Sequence, residues 1–330
     1  MRQSTLKELS EALGLSISTV SRALKNHPDI SERTKKKVRE LATAMEYEPN
    51  PYAVQLRTQQ SNVLGVMVPT VDNFFYDSFI AAIEHEARLN GYSLLIMQSK
   101  DLSEVEQNNL KIFRKNMVVG VFASISIETS EMEPFKKMEE MGIPIVFFDR
   151  VPEVHGFYKV CLSDEIAARM AAEAIIQKKK KNVLALFGHP HLSICKLRHA
   201  SFIETFRELA PETNLQVAWP ELMEASRIEV LKAFGKKNKP DAIFCMGDMI
   251  LIGVMYAIHE LELKVPEDVS VIGISNGLMP TLYNPKITYV ETSGHKLGKL
   301  SFKQMMSRLG DEITAEEVFL ESILVKGGSL

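Results

Sequence analysis

Residues 5–24 read TLKELSEALGLSISTVSRAL, and this stretch has the layout of two short helices joined by a tight turn. Leu6, Leu9 and Leu13 recur at helical spacing, so they predict one apolar face on a first helix. Gly14 follows them, and a glycine that is free to adopt a positive φ commonly ends a helix. Ser16 has the side chain expected to cap a second helix. The stretch therefore predicts a helix-turn-helix unit.

The second predicted helix has two different sides. Val20, Ala23 and Leu24 fall on one side and are expected to be buried. The other side carries short polar or methyl-bearing groups and one guanidinium, namely Ile17, Ser18, Thr19, Ser21 and Arg22. Groups of this size and chemistry suit the major groove of DNA. A third helix, capped by Ser31, is predicted to run from there to Met45.

The segment that follows the third helix contains two closely spaced prolines, in YEPNPY at residues 47–52. Prolines at this spacing stop a helix and favour a hinge. Residues 52–58 have the pattern of about two helical turns, which is too short for stability in water without a partner. Such a partner could be DNA or the same segment of a second copy.

Charge and composition fit a protein with one DNA-binding end. Residues 1–60 hold ten Lys or Arg against seven Asp or Glu, although the whole chain carries a net charge of −3. The chain is 45% hydrophobic, which is enough to build a large core. Cys161, Cys195 and Cys245 are far apart and lack a CxxC pair, so they are expected to be buried thiols in a reducing cytoplasm. No signal sequence or membrane-spanning run is recognised.

From residue 62 the chain contains an internal repeat. NVLGVMV at residues 62–68 resembles NVLALF at residues 182–187, and both runs fit buried parallel strands. Helices are predicted near 76–90, 104–115, 131–141, 197–209, 222–235 and 249–261. Further strands are predicted near 93–98, 118–124, 144–148, 214–218, 241–246 and 269–274. This alternation predicts an α/β core of two doubly wound parallel-sheet lobes, with the tail after Tyr283 crossing back to complete the pair.

Ligands of such sheets bind beyond the carboxyl ends of the strands. Two facing lobes would form a cleft from the loops at those ends. The loops concerned are 72–75, 124–126, 149–150, 189–198, 247–248 and 275–276.

Over nearly its whole length the chain resembles the LacI/GalR family of transcriptional regulators. The motifs that carry the resemblance are LSISTVSRAL (15–24), YEPNP (47–51), VLGVMVP (63–69), FFDR (147–150), RHASF (198–202), PDAIF (240–244) and VPEDVSVIG (265–273). The resemblance implies a helix-turn-helix domain at 1–46, a hinge with a short helix at 47–61, and a periplasmic-binding-protein-like effector and dimerisation domain at 62–330. It implies a ligand-responsive homodimer, expected to be a repressor, on a near-palindromic operator. The sequence leaves activation and the sign of the effector's action open.

The resemblance also assigns the DNA-binding residues. The implied DNA contacts are Thr5, Ser16, Ile17, Ser18, Thr19, Ser21, Arg22, Ser31, Asn50 and Leu56. Ile17, Ser18 and Arg22 match base-reading positions, whereas the hydroxyl residues match phosphate contacts. Leu56 matches a hinge-helix leucine that wedges between base steps in the minor groove. Packing of Leu56 on the partner's hinge helix is an alternative, and both roles can coexist.

The implied effector is a small molecule, a sugar or sugar derivative, held in the cleft. Its expected contacts are Asp72, Phe75, Ser124, Arg150, His189, Arg198, Trp219, Asp248, Ser275 and Asn276. For Arg198 a surface ion pair is the alternative, and for Trp219 a lid on the sheet is equally favoured. Ser275 replaces the family's usual carboxylate. Together with His189, His191 and the two arginines, this change raises the alternative of an acidic ligand, such as a phosphorylated sugar or a uronate, instead of a neutral hexose.

The sequence offers no motif that demands catalysis, a cofactor or a metal. GxxxxGK[ST] and HExxH are both absent from the chain. An enzyme carrying a DNA-binding head and a transport-type sugar-binding protein are the competing classes. The first lacks a phosphate-binding motif, and the second has no use for Arg22 or Leu56. Residues 318–330 lack leucine heptads, so a dimer is expected instead of a tetramer.

Overall fold

A computed structural model describes residues 5–47, 61–312 and 314–330. The chain divides into two compact units, Met1–Ser61 and Asn62–Leu330. Asn50, Leu56 and the predicted hinge helix at 52–58 lie outside the described residues. No helix among the described residues is long and apolar enough to cross a membrane.

The described part of the first unit contains three helices, each with a side-chain cap at its N-terminus. They are α1 (Leu6–Leu13), α2 (Ile17–Leu24) and α3 (Glu32–Ala44). Thr5 and Glu8 form a reciprocal capping box at the start of α1, and Gly14 ends that helix at a φ of 62°. The core consists of Leu9, Val20, Ala23, Val38 and Ala42. The predicted helix-turn-helix is confirmed, including its Gly14 turn.

The first lobe of the second unit is built on a six-stranded sheet in the order β11-β5-β4-β3-β1-β2. The strands are β1 (Val63–Val68), β2 (Ser93–Gln98), β3 (Gly120–Ala123), β4 (Ile145–Phe148), β5 (Tyr158–Leu162) and β11 (Glu317–Leu320). All neighbouring strands run parallel. The helices of this lobe are α4 (Phe74–Leu89), α5 (Ser103–Lys115), α6 (Glu133–Glu140) and α11 (Gly294–Leu309).

The second lobe repeats this plan in the order β12-β10-β9-β8-β6-β7. Its strands are β6 (Asn182–Leu186), β7 (Asn214–Ala218), β8 (Ala242–Cys245), β9 (Ser270–Ser275), β10 (Thr288–Glu291) and β12 (Ile323–Val325). Only β12, paired with β10, is antiparallel among the described strands. The helices are α7 (Asp164–Gln177), α8 (Ser193–Leu209), α9 (Met223–Phe234), α10 (Asp248–Glu260) and a short 3-10 helix (Met279–Leu282). The prediction of two doubly wound lobes is confirmed.

Within the described residues the chain crosses between the lobes three times, after β5, after β10 and after β11. The tail therefore crosses back, as predicted. The second crossing is tightly packed, because a Cβ added to Gly294 would lie 2.4 Å from the Phe75 carbonyl oxygen. Gly294 thus lets α11 begin directly against α4. The three crossings join the lobes along one side and leave a cleft at the carboxyl ends of the strands.

The sequence analysis predicts no individual elements for α7, β5 or the chain after Tyr283, and the bounds of some other elements differ from the structure. The pattern predicts no strand at β5, whose inward-facing Lys159 interrupts the apolar run and pairs with Glu317 of β11 at 2.8 Å. Helix α8 begins at Ser193, one turn before the predicted residue 197. That extra turn brings the start of α8 to the cleft.

Candidate functional site

Each of the three helices described in the first unit begins with an exposed hydroxyl residue. Thr5, Ser16 and Ser31 are the N-caps of α1, α2 and α3, and each accepts a hydrogen bond from a backbone N–H of its own helix. A helix N-terminus carries a partial positive charge and attracts phosphate oxygens. The prediction that these three residues contact phosphates requires such helix N-termini.

Helix α2 presents the predicted base-reading residues to solvent. The Ile17 residue is 48% exposed and the Arg22 side chain is 59% exposed. Arg22 lies 4.0 Å from the Asp29 carboxylate, a distance at which a solvent-exposed ion pair contributes little stability. The Ser16 and Ser18 hydroxyls are 2.8 Å apart. This surface offers an apolar contact, hydroxyls and an exposed guanidinium.

Thr19 and Ser21 are less accessible than the other predicted DNA contacts. Both residues are half-buried, and the Thr19 hydroxyl lies 2.8 Å from that of Ser16. They flank the exposed side of α2 instead of forming its centre. The structure brings eight of the ten predicted contacts into this first unit, since Asn50 and Leu56 lie outside the described residues.

In the second unit a buried polar group lies at the carboxyl end of the first sheet. The Tyr76 hydroxyl donates to Asp149 Oδ2 at 2.7 Å and lies 3.1 Å from the Ser124 hydroxyl. Burial raises the pKa of Asp149, although the neighbouring Arg150 opposes that rise. Ser124 is fully buried, so in this arrangement it holds Tyr76 and faces no solvent.

Arg198 and Asp164 form a buried ion pair in the second lobe. Arg198 donates from Nε to Asp164 Oδ1 at 2.7 Å and from Nη1 to the Met246 carbonyl at 2.9 Å. Its Nη2 lies 2.6 Å from the same Asp164 oxygen, and both side chains are 6% exposed. Burial raises the pKa of Asp164 to about 6 even though Arg198 opposes it. Because Asp164 follows the first crossing directly, this pair fixes the start of α7 to α8 and to the end of β8.

Asp248, Ser275 and Asn276 form a third polar group, which joins the lobes. Asp248 accepts hydrogen bonds from the Ser275 hydroxyl and, at 3.0 Å, from the Asn276 backbone N–H. The Asn276 side chain donates to the Phe74 carbonyl at 3.0 Å. It also accepts from the Gly294 N–H at 2.8 Å. Asn276 therefore ties the end of β9 to α4 and to the second crossing.

A cavity of about 320 Å³ lies at the rim of the cleft. Its first-lobe walls are residues 125–127, 129, 130, 132 and 150–154, and its second-lobe wall is residues 191–193 and 196. Arg150 lines it and donates from Nη1 to Asp101. Across the rim, Lys196 lies 3.6 Å from the exposed Glu153. The cavity is therefore formed by both lobes and contains charges of both signs.

The loop at 126–129 that lines this cavity is fixed from behind by Glu106. Glu106 accepts from the Ser126 backbone N–H at 2.8 Å and from the Thr129 hydroxyl at 2.7 Å. Burial raises the pKa of Glu106, and these two hydrogen bonds oppose the rise. The loop is thus held in one conformation by a carboxyl that faces away from solvent.

Trp219 belongs to an aromatic cluster at the end of β7. Its ring centroid is 4.8 Å from that of His199 and 5.4 Å from that of the buried Phe187. Partial burial lowers the pKa of His199, which favours the neutral ring. Trp219 is 37% exposed, so it is both a lid on the sheet and an accessible aromatic surface. In another loop of this lobe, His189 Nε2 lies 3.8 Å from a carboxylate oxygen of Glu221.

The predicted effector residues fall into two groups. Some are buried and hydrogen-bonded within the chain, and the others are at least partly accessible to solvent. Arg198, Ser124 and Ser275 are buried and hydrogen-bonded within the chain. Asp72 is exposed, whereas Phe75, Arg150, His189, Asp248 and Asn276 are partly accessible. Sequence reasoning missed four polar partners, namely Tyr76, Asp101, Asp164 and Lys196. The FFYDS run gave a signal for Tyr76, but nothing local pointed to Asp164.

Comparison with known proteins agrees with this geometry. Residues 5–50 match the family described as bacterial regulatory proteins, lacI family, and residues 172–330 match the periplasmic binding protein-like domain. The HTH-type transcriptional repressor PurR of Vibrio atlanticus is 23% identical over 317 residues, covering 96% of this chain and 95% of that protein. Catabolite control protein A of Priestia megaterium is 25% identical and covers 93% of both chains.

A solved structure shows the same fold along the whole chain. The lac repressor dimer bound to operator and the anti-inducer ONPF superimposes with a TM-score of 0.89 at 21% identity, covering 99% of both chains. The two-lobed core agrees with that fold. The chain belongs to the lacI family of bacterial regulatory proteins and is a DNA-binding transcription regulator with a periplasmic-binding-protein-like domain.

Proposed function

We propose that this chain represses transcription by binding a near-palindromic operator as a homodimer, and that a small molecule in the interlobe cleft controls its affinity. The observation that carries the proposal is the surface of α2. There Ile17, Ser18 and Arg22 are exposed, and the three helices of the same unit begin at hydroxyl caps. On this proposal the protein acts in the cytoplasm, where it reaches operator DNA.

On this proposal, α2 enters the major groove. Arg22 reads a guanine through its bidentate donors, and Ile17 contacts a thymine methyl group. The N-termini of α1, α2 and α3 contact phosphates and set the register of the helix. Asn50 and Leu56 extend the contact to the neighbouring minor groove, with residues 47–61 as the hinge.

We further propose that an exposed apolar surface of the second lobe contributes to the dimer. It consists of Leu222, Ile228, Tyr256, Leu278 and Leu282, which lie before and within α9, in α10 and around the 3-10 helix. These elements adjoin, since Arg227 of α9 lies over the Tyr256 ring at 5.8 Å. Exposed apolar patches of this kind mark protein interfaces. Replacing Leu282 with Glu should shift the full chain toward monomer in sedimentation velocity, whereas Leu209→Glu at an exposed site outside this surface should not.

The three crossings supply the coupling between the cleft and DNA. An effector that prefers one arrangement of the lobes shifts the population toward that arrangement and changes operator affinity. A sugar or sugar derivative fits the accessible residues, since Trp219 offers a stacking surface and Asp72, Arg150, His189, Asp248 and Asn276 offer polar groups. No resident cofactor or metal is needed for this role.

Selection of duplex DNA from a random pool tests the proposal. The full chain should enrich a site with two inverted half-sites, and Arg22→Ala should relax the preference at one base pair in each half-site. Lys37→Ala, which removes an exposed charge from α3, should weaken binding to all sequences alike. Enrichment of no sequence over the pool at moderate salt would contradict the proposal.

A further inference from the structure

We propose that the rim cavity binds an anionic oxygen group of the effector, either a phosphate ester or a carboxylate. This inference rests on the proposed role of the cleft as the effector site, and it names the chemical class of the ligand. The cavity of about 320 Å³ is at the lower end of the range for small-molecule sites, which is about 300–1,000 Å³. Three features of its walls support the assignment.

The first feature is the guanidinium of Arg150, which is only partly used. Its Nη1 donates to Asp101, but its buried Nε has no hydrogen-bond partner among the described residues. A buried N–H without a partner is costly, and a second acceptor would remove that cost. The Nε and Nη2 donors of an arginine form a fork that matches two oxygens of a carboxylate or phosphate. Arg150 is therefore prepared for an acidic group in addition to Asp101.

The second feature is the start of α8, on the opposite wall of the cavity. Leu192 occupies the N-cap position, and no side chain in the described part of the protein caps this 17-residue helix. Leu192 and Ser193 both line the cavity. The first backbone N–H groups of α8 thus lie at the cavity with the positive end of the helix dipole, as in many phosphate-binding sites.

The third feature is the set of remaining polar groups. Lys196 and His191 line the second-lobe wall, and the Ser126 and Ser130 hydroxyls line the first-lobe wall. Three carboxylates oppose an anion, and one of them, Asp149, is buried beside Arg150 and accepts a hydrogen bond from Tyr76. Asp101 already neutralises one side of Arg150, and Glu153 is 76% exposed and 3.6 Å from Lys196. At that exposure Glu153 is screened by water and holds Lys196 only weakly.

The Glu106 carboxyl lies behind the loop and does not line the cavity. It accepts from Ser126 N and from Thr129, so its oxygens are directed at the loop's own donors. Apolar side chains complete the walls, including Ile125, Val151 and Leu192. The cavity thus combines a guanidinium, an ammonium and a helix N-terminus with an apolar surface for the rest of a small acid.

Calorimetric titration of the full chain with four probes tests the inference. The probes are glucose, glucose 6-phosphate, glucuronate and inorganic phosphate, at matched ionic strength. At least one acidic probe should bind at least tenfold more tightly than glucose, and Arg150→Gln should weaken it at least tenfold, a change of about 1.4 kcal/mol. Lys196→Gln, at an exposed position that does not threaten folding, should weaken it severalfold. Arg207→Gln and Lys232→Gln are matched controls at exposed helix positions and should change nothing.

Binding of glucose 6-phosphate and inorganic phosphate but not glucuronate would identify a phosphate ester as the ligand's acidic group. Binding of glucuronate would extend the class to carboxylates. Equal affinity of glucose and the acids, no binding of any acidic probe, or equal affinity of the wild type and Arg150→Gln would overturn the inference. Operator selection with the wild-type chain, without any probe, tests the proposed function separately. A chain that selects an operator but binds no acidic probe would refute only this inference.

Discussion

Replacing Arg198 with methionine separates a structural role of this residue from a ligand-binding role. Methionine keeps a long apolar side chain but removes the guanidinium that contacts Asp164 at 2.7 and 2.6 Å and the Met246 carbonyl at 2.9 Å. Removing one partner of a buried ion pair leaves a buried charge uncompensated, which costs about 3–5 kcal/mol. We therefore expect Arg198→Met to lower the free energy of unfolding of the second unit by that amount at pH 8.

The cost should depend on pH because Asp164 titrates near neutrality. Burial raises its pKa to about 6 in the folded protein, above the usual value of 3.8. A raised pKa means that Asp164 holds its proton more tightly in the folded state than in the unfolded state. This tighter proton binding stabilises the fold at low pH, and the contribution is lost as pH rises through about 6. At pH 5 the carboxyl is largely neutral, and only the lost hydrogen bonds remain, at about 1–3 kcal/mol. Arg198→Met should therefore cost less at pH 5 than at pH 8.

Urea unfolding followed by tryptophan fluorescence measures this difference. Trp219 is the only tryptophan, so its signal reports the second unit within the full chain. Arg207→Met is the matched control, because Arg207 is exposed on the same helix and pairs with Glu204, and it should cost at most about 0.5 kcal/mol. A cost for Arg198→Met below about 1 kcal/mol at pH 8, or an equal cost at both pH values, would refute the structural role.

Three further predictions follow from single contacts. Arg22→Ala should reduce discrimination at one operator base pair by about 1–3 kcal/mol in anisotropy titrations, and an equal loss on every sequence would refute base reading. Asn276→Ala should lower the free energy of unfolding measured in urea by about 1–3 kcal/mol, because it removes hydrogen bonds between the lobes. Unchanged stability would show that these hydrogen bonds are dispensable. Gly253→Ala should lower the free energy of unfolding by about 1–3 kcal/mol through the packing of α9 on α10. The added Cβ would lie 2.1 Å from the Met223 carbonyl oxygen. An unaltered urea midpoint would show that the helices separate freely.

Much of the fold was predictable because local sequence and tertiary structure agree. Strands β2 and β7 begin and end at the predicted residues 93–98 and 214–218. Each is bounded by turn-forming residues on both sides. Strand β5 was not predictable, because Lys159 breaks its apolar pattern and is accommodated only by Glu317, which is far away in the sequence. A buried charge in a strand is explained only by its tertiary partner.

The cleft was harder to predict than the fold. Position in a loop after a strand identified Arg150 and Arg198. It could not tell which guanidinium keeps a donor without a partner among the described residues. Arg198 is taken up by Asp164, a residue of the first crossing, and Arg150 keeps an unused Nε. This difference depends on contacts across the lobes, which a single sequence does not reveal.

The most direct test of the account is an anisotropy titration of the full chain on the DNA upstream of its own gene. Salt is fixed, and each titration is repeated with sugars and sugar phosphates. The proposed function predicts tight, sequence-specific binding. One of these ligands should change the affinity for this DNA about fivefold or more, and fivefold is the lower end of typical allosteric coupling. Binding no tighter than to unrelated DNA, there and on selected random sequences, would contradict the account.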